Sequence, residues 1–523
     1  MRRAIWSQSS AGHTLGIRAR DALRRRTAVL PAAAAAAALT APRAPKFALP
    51  GELGGSLFEW NSRLGADPAM RARWDSILRG DGQVVVTGQQ PALLGGPLYT
   101  IYKLASAISL AGWLERTTGR PTLAIFWLVG DDSDFGEVSG GWCARGDGRL
   151  VSVRDDATPP SGTCIGGLDA RRQSLALERL AALLPPASAS RLAAATAPVV
   201  AAARDWGEFQ AALLHRLLPG RSFLCLDGGS EPVLRAAQPF LRSRVWESVL
   251  PRLLEEGAVD AIAHGAEPAF EPDVGLRARF IVRDGRREPL VGVPERSDLL
   301  APNAVLRPVL QDWLLPNVAT VGGPSEMRYR AQLGPVYAVA EVAEPISWPR
   351  AQLVLLPAAV ASAMGASETE RAVGDPDAFV ASRITADAES PLLEEIERFR
   401  AARNEEWLRL AEQLAAVDPS LVQLAESARG KADYQTQRLR EGLESKLRQR
   451  ALRRTPWLAN WRDLVRPRER GQERVLSCVT PWSWGADGFA DALLQTADED
   501  LARRLADGSN ATAILSLETN PEE

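Results

Sequence analysis

Apolar positions along the chain follow two rhythms. Val84, Val85 and Val86 make a compact β-branched run, the signature of a buried strand. It stops at the polar loop Thr87-Gly88-Gln89-Gln90. Gly95, Gly96 and Pro97 follow, and then Ile101, Leu104, Ala105, Ile108 and Leu114 recur at helical spacing up to Gly119. Pro97 suits the first helical position and Gly96 the cap before it. Pro121 opens TLAIFWLVG, a near-continuous apolar run that reads as a strand buried on both faces. Strand, helix, strand at this length predicts one right-handed βαβ unit with a parallel pair.

The same rhythms extend in both directions. Residues 46–80 read as a helical lead-in, with Trp60, Leu64, Trp74 and Leu78 as packing anchors. Residues 140–170 read as short strands, 171–218 as helices, and SFLCLD at 222–227 as a buried strand ending in an aspartate. Glu231 to Leu254 is helical. Asp284-Gly285 marks a hairpin turn. Residues 303–342 read as helix, strand NVATV, glycine loop and helix; the loop Gly322-Gly323-Pro324-Ser325-Glu326 echoes Gly95-Gly96-Pro97. SWPRAQLVLL at 347–356 reads as one further strand.

Near residue 380 the pattern changes to a heptad. Leu393, Ile396, Arg400, Arg403, Trp407, Leu410, Leu414 and Val417 step by three and four, Asp418-Pro419 breaks the run, and a second charged helix follows. This predicts an antiparallel coiled-coil hairpin of two helices of ~25–35 residues, a protruding arm or a dimer contact. The expected architecture is an α/β, parallel-sheet core over 46–375 with insertions at about 140–220 and 255–300. Residues 376–456 form the antiparallel helical coiled coil, and 457–523 supply helices and a final strand, AILSL at 513–517, returning to the core.

Composition narrows the function classes. The 523 residues carry a net charge of −2, which argues against a general nucleic-acid or membrane-surface binder. Cys143, Cys164, Cys225 and Cys478 are scattered, without metal-ligand spacing, as in a reduced, cytoplasmic protein. His13, His215 and His264 leave little for a His-based metal site; His215 reads as a helix position and His264 as a loop residue. Residues 1–45 are rich in arginine and alanine, and the run Ala32 to Ala38 is too short to cross a bilayer. A secretory signal is one reading; a poorly ordered or loosely helical tail fits better, because Pro31 interrupts the apolar stretch.

The chemistry gathers at strand ends. Thr87 to Gln90 resembles neither GxGxxG nor GxxxxGK[ST], but a glycine-bearing loop before a helix can present N–H groups to an anion. Lys103, one of four lysines in an arginine-biased chain, is a mobile point charge for a phosphate or carboxylate, or a solvated helix residue. The second strand empties into Asp131-Asp132-Ser133-Asp134-Phe135. Three carboxylates there can shift one another's pKa, bind a divalent cation or accept from an amine; the alternative is a solvated turn with an aspartate cap.

These segments resemble the BshC family, the cysteine-adding enzyme of bacillithiol synthesis. The similarity runs in order through VVVTGQQPALLGGPLYTIYK (84–103), IFWLVGDDSDFGEV (125–138), LRPVLQDWLLPNVATVGGPSEMRYRAQLGPVY (306–337), WPRAQL (348–353), LESKL (443–447) and QERV (472–475). It implies a Rossmann-like, nucleotidyltransferase-type core, dimerisation through the coiled coil, and a ligase reaction between L-cysteine and glucosaminyl malate. ATP and Mg²⁺ are the implied cofactors, with no tightly bound metal. The chain departs from the family at Ser133, where a histidine is usual, and at Ser325, where a second glycine is usual.

The resemblance implies catalysis around Asp131, Asp132, Ser133 and Asp134. It implies binding by Thr87, Gly88, Gln89, Gln90, Gly96, Tyr99 and Lys103 on one side, and by Asn317, Gly322, Gly323 and Glu326 on the other. Arg307 and Arg350 are candidates for the malate carboxylates, or for ion pairs within the fold. Two alternatives stand beside this reading: an ATP-dependent ligase for another amino sugar or amine, and a catalytically silent nucleotide-binding dimer.

Overall fold

The computed structural model describes residues 5–7, 39–40, 49–263, 265–387, 391–486, 488–507 and 511–517. His13, His264 and most of the expected N-terminal tail lie outside the described residues. The chain divides into two compact units. The first gathers the residues up to Gly146, Leu150–Ala366 and Pro467 onward; the second gathers Asp147–Arg149 and Ser367–Arg466.

Five strands make the central sheet of the first unit: β1 (Gln83–Gln89), β2 (Thr122–Leu128), β3 (Phe223–Asp227), β4 (Asn317–Gly322) and β5 (Ile346–Pro349). All pair in parallel, in the order β3-β2-β1-β4-β5. This is the Rossmann-type order, in which the winding reverses between the first and fourth strands. The period of two sorts the side chains. Val84, Val86, Leu123, Ile125 and Trp127 join one core with Trp74, Leu306, Val309 and Trp313. The opposite face is covered by helix α1 (Tyr99–Thr118), which itself packs against helix α5 (Phe489–Asp507). With neighbours on two sides, α1 is buried nearly all round rather than along one stripe.

Several expectations shift in detail. In the lead-in, Trp74 and Leu64 are buried, but Leu57 and Phe58 replace Trp60 and Leu78, which stay half-buried. The apolar run at 347–356 is two strands in two sheets: β5, and β6 (Gln352–Pro357), which pairs in parallel with β7 (Thr512–Leu517). Arg350 and Ala351 make the break, and the Arg350 N–H donates to Gly322 O at 3.0 Å. Ile5–Ser7 adds an antiparallel strand to β7. The expected hairpin turns at Asp284 and Gly285, both at positive φ.

The second unit holds helices α3 (Pro391–Val417) and α4 (Ser420–Arg454), folded back on each other. Arg400 Nε donates to Asp433 Oδ1 at 2.6 Å, and Arg440 lies 2.7 Å from Glu397. The half-buried seam runs through Leu393, Ile396, Arg400, Asn404, Trp407, Ala411 and Leu414. Arg403, Leu410 and Val417 of the expected seam face solvent. Pairing of Arg400 with Asp433 fixes the rotation that turns them out.

Candidate active site

The winding reversal leaves the loops after β1 and β4 diverging over the carboxyl ends of the strands, where open α/β sheets hold ligands. A cavity of about 430 Å³ opens there, within the range of small-molecule sites. Thr87 is buried and does not line it; its Oγ1 donates to Val321 O at 2.8 Å and ties β1 to β4. Gly88 is required by close approach, since a Cβ would stand 2.4 Å from Trp127 O.

A single polar chain crosses the floor of the cavity. Lys103 is 3% exposed, and its Nζ donates to Glu326 Oε1 at 2.8 Å, Gly88 O at 3.0 Å and Gln89 Oε1 at 3.1 Å. Burial pulls the Lys103 pKa down and Glu326 opposes this. Glu326 Oε2 also accepts from the Gly323 N–H at 2.7 Å, which fastens the β4 loop. Gln89 Nε2 donates onward to Gln90 Oε1 at 2.7 Å. Gln90 Nε2 donates to Asp132 Oδ2 at 2.9 Å and to Glu137 Oε2 at 3.1 Å. The Tyr99 ring lies beneath Lys103, 5.2 Å from Nζ; burial, then Glu326 and Glu137, hold its hydroxyl protonated.

The acidic turn does not act as one cluster. Asp131 is buried, 3.7 Å from Arg287, and burial raises its pKa against the pull of Arg287 and Arg307. Asp134 caps the short helix α2 (Phe135–Val138), accepting the Glu137 N–H at 3.2 Å. Ser133 does not line the cavity either. Only Asp132 does. Burial would raise its pKa, but the Gln90 amide, Arg287 and the Ser133 and Asp134 N–H groups outweigh this and bring it down. The second wall carboxylate is Glu137, inside a motif already singled out but not assigned a role. Among the described residues no group of three or more His, Cys, Asp or Glu side chains is placed to hold a metal ion. The three carboxylates expected to hold a substrate amine or Mg²⁺ have different partners: Arg287 for Asp131, Gln90 for Asp132 and the Glu137 N–H for Asp134.

Arg307, Arg350 and Arg474 line the same cavity. Arg350 is buried and already paired, with Nη2 3.0 Å from Glu473 Oε1. Arg307 is half-buried beside Tyr329 and forms no ion pair among the described residues. Arg474, missed in the sequence, is exposed on the rim. QERV at 472–475 therefore supplies both the partner of Arg350 and a rim cation.

Three more expected site residues, Gly96, Asn317 and Gly322, lie off the cavity as well. The helix expected at Pro97 begins at Tyr99, and its N-terminus is closed by the chain itself. The Leu98 N–H donates to Leu476 O at 2.7 Å, and Gly96 O accepts from the Cys478 N–H at 2.9 Å. Gly96 is buried, at φ 73°, and shapes this closed turn rather than a cradle for phosphate. Asn317 opens β4 at the opposite end, where its amide donates to Asp312 Oδ1 at 2.7 Å. Gly322 lies behind Glu326, whose Cβ would stand 3.0 Å from an added Cβ. His215 is a core residue: it stacks on Phe223, meets Asn61 Oδ1 at 3.1 Å, and burial lowers its pKa to about 3. A nucleotide phosphate therefore does not fit the Gly95-Gly96 turn, whereas the cavity arginines Arg307 and Arg474 fit one by charge.

Comparison with known proteins bears on this geometry. The sequence model described as "Bacillithiol biosynthesis BshC, N-terminal Rossmann-like domain" matches residues 43–298 and 290–351. A "Putative cysteine ligase BshC" from Solibacter usitatus is 30% identical over 422 residues, which is 76% of this chain and 78% of that protein. The chain belongs to the BshC family. Proteins of the same name from Shouchella clausii and Koribacter versatilis are each 28% identical, over 75% and 80% of this chain and 78% and 82% of their own lengths. The BshC domain match spans all five strands of the central sheet, and so the cavity at its winding reversal.

Proposed function

We propose that the chain is a cysteine ligase that joins the carboxyl of L-cysteine to the amine of glucosaminyl malate, forming bacillithiol. One observation carries this reading: in a BshC-family protein, one cavity at the winding reversal is lined by the carboxylates Asp132 and Glu137 and by the arginines Arg307, Arg350 and Arg474. An amino sugar bearing a dicarboxylate matches these two sets of groups, with the amine towards Asp132 and Glu137 and the carboxylates towards Arg307 and Arg474. Arg350, engaged by Glu473, serves to position the rim segment. Gln89 both donates and accepts, and suits a sugar hydroxyl.

Amide formation needs an activated acyl group and an uncharged amine. A nucleoside triphosphate, when bound, supplies the group that makes a carboxylate oxygen leave. The chain's own residues orient the amine, fix the carboxylates and hold Lys103 against Glu326. No protein thiol takes part: all four cysteines are buried, and burial raises the thiol of Cys164 to about 12.

The test is incubation of purified protein with cysteine, glucosaminyl malate, ATP and Mg²⁺, with product sought by thiol labelling and mass. Absence of product, beside an active relative, refutes the ligase. Ser133 favours a second reading, a catalytically silent nucleotide-binding dimer; a third is a ligase for another amino sugar or amine. A panel of amino sugars and calorimetry with ATP separate these. The dimer belongs to the proposal as well: Leu392, Phe399, Leu408, Leu424 and Leu439 on α3 and α4 are each more than half exposed. Sedimentation would read it. A cytoplasmic location fits the unpaired cysteines, and no described helix is long and apolar enough to cross a membrane.

A further inference from the structure

We propose that Gln90 occupies the seat of the substrate's amine, and that Glu137 is the catalytic base that takes its proton while Asp132 holds it. The assignment rests on the ligase reading and adds residues to it. Its starting point is the Gln90 side-chain nitrogen, on which two carboxylates converge, at 2.9 Å and 3.1 Å. The orientation of that amide is fixed. Lys103 can only donate, so the oxygen of Gln89 must face it. The Gln89 nitrogen then faces the Gln90 oxygen, and the Gln90 nitrogen is left towards Asp132 and Glu137. A neutral amide brings two N–H groups to two negative charges. An ammonium in its place brings three and a full positive charge, and it forms stronger, charge-assisted bonds.

The two carboxylates are built for different work. Asp132 is anchored: its Oδ1 accepts from the Ser133 N–H at 2.7 Å and the Asp134 N–H at 3.3 Å. Glu137 is held by its backbone, through the Asp134 cap; apart from the Gln90 contact, its exposed side chain has no ion pair among the described residues. One oxygen of Glu137 faces the amide nitrogen, and the side chain is open to water, so a proton taken there can leave. Arg307 and Arg474 line the same cavity and remain for the anionic end of the same ligand.

The step balances as follows. The ammonium of the amino sugar gives one proton to Glu137 and becomes a free amine. Its lone pair attacks the carbonyl carbon of a cysteine carboxyl activated as a phosphoric mixed anhydride. The new C–N bond forms, the C–O bond to the phosphoric group breaks with its electron pair on oxygen, and the nitrogen loses a second proton to water. Nothing is oxidised or reduced.

The experiment compares Glu137→Gln and Gln90→Ala with the wild type in the assay above, from pH 6.5 to 9.5. Glu137→Gln is expected to lower kcat about 100-fold at pH 7, in the range of a lost general base. The deficit should shrink as pH rises and the free amine accumulates, while the KM for cysteine and the melting temperature stay unchanged. Gln90→Ala should leave the KM for glucosaminyl malate unchanged or lower it. If Glu137→Gln stays within threefold of wild-type kcat at every pH, the base assignment is overturned and the ligase reading stands. A tenfold higher KM for glucosaminyl malate in Gln90→Ala overturns the seat, since Gln90 would then bind the substrate itself. A wild type that yields no product overturns the ligase reading and this assignment with it.

Discussion

Replacing Lys103 with methionine keeps the apolar stem and removes the charge. Three acceptors lose their donor: Glu326 Oε1 at 2.8 Å, Gly88 O at 3.0 Å and Gln89 Oε1 at 3.1 Å. Breaking a buried pair by removing one partner costs about 3–5 kcal/mol. The Glu326 side chain is 25% exposed, so water takes up part of the loss, and a cost of about 3 kcal/mol is expected. Glu326→Gln keeps an acceptor for the Gly323 N–H but leaves Lys103 buried without its counter-charge. The double variant removes both charges and should be less destabilised than the two single losses together. The coupling energy expected from the four-protein cycle is about 2 kcal/mol, measured by urea unfolding with equal m values. A coupling below about 0.5 kcal/mol, the level for independent sites, would refute the claim that this pair fastens the β4 loop to α1.

Arg307→Ala should raise the KM for glucosaminyl malate by about 10- to 100-fold, as charge-assisted bonds are lost, with the KM for cysteine unchanged in steady-state kinetics. Ser133→His should raise kcat by about 10- to 100-fold if an added donor beside the turn reaches developing charge; equal turnover would assign Ser133 no part. Asp227, at the end of β3, has its pKa raised to about 7, first by burial and then by Asp131 and Asp205. A raised carboxyl favours the folded state when protonated. Its contribution is fully present below pH ~4, the unfolded value, and is lost as pH rises to 7. Asp227→Asn should therefore flatten melting temperature against pH over that window. At pH 8 it should stabilise by about 1–2 kcal/mol, since the half-buried carboxylate is partly solvated.

The primary sequence determined most of what repeats. The β-branched runs, the helical stripe from Ile101 onward and the Asp-Gly turn depend on periods of two and 3.6 and on glycine's freedom, which neighbours in the chain dictate. The motifs also carried the family, because several stretches kept their order. TGQQ and GGPSE were legible as loop ends after strands, and Glu326, Lys103, Gln89 and Gln90 do meet in one cavity.

What the tertiary structure alone decided is which side chains face that cavity. Adjacent aspartates look equivalent in sequence. Yet Asp131 turns inward to Arg287, Asp134 caps a helix, and Asp132 alone joins Gln90. Gly96 looked like a phosphate cradle until residues 476–478, nearly 400 positions on, closed the helix end above it. Arg474 and Glu473 lay in a motif with no visible connection to the site, and Glu137 sat in a helix too short to leave a periodic mark. The winding order of the sheet brings these distant segments together. That order is a property of long-range pairing, and local hydrophobic rhythm does not encode it.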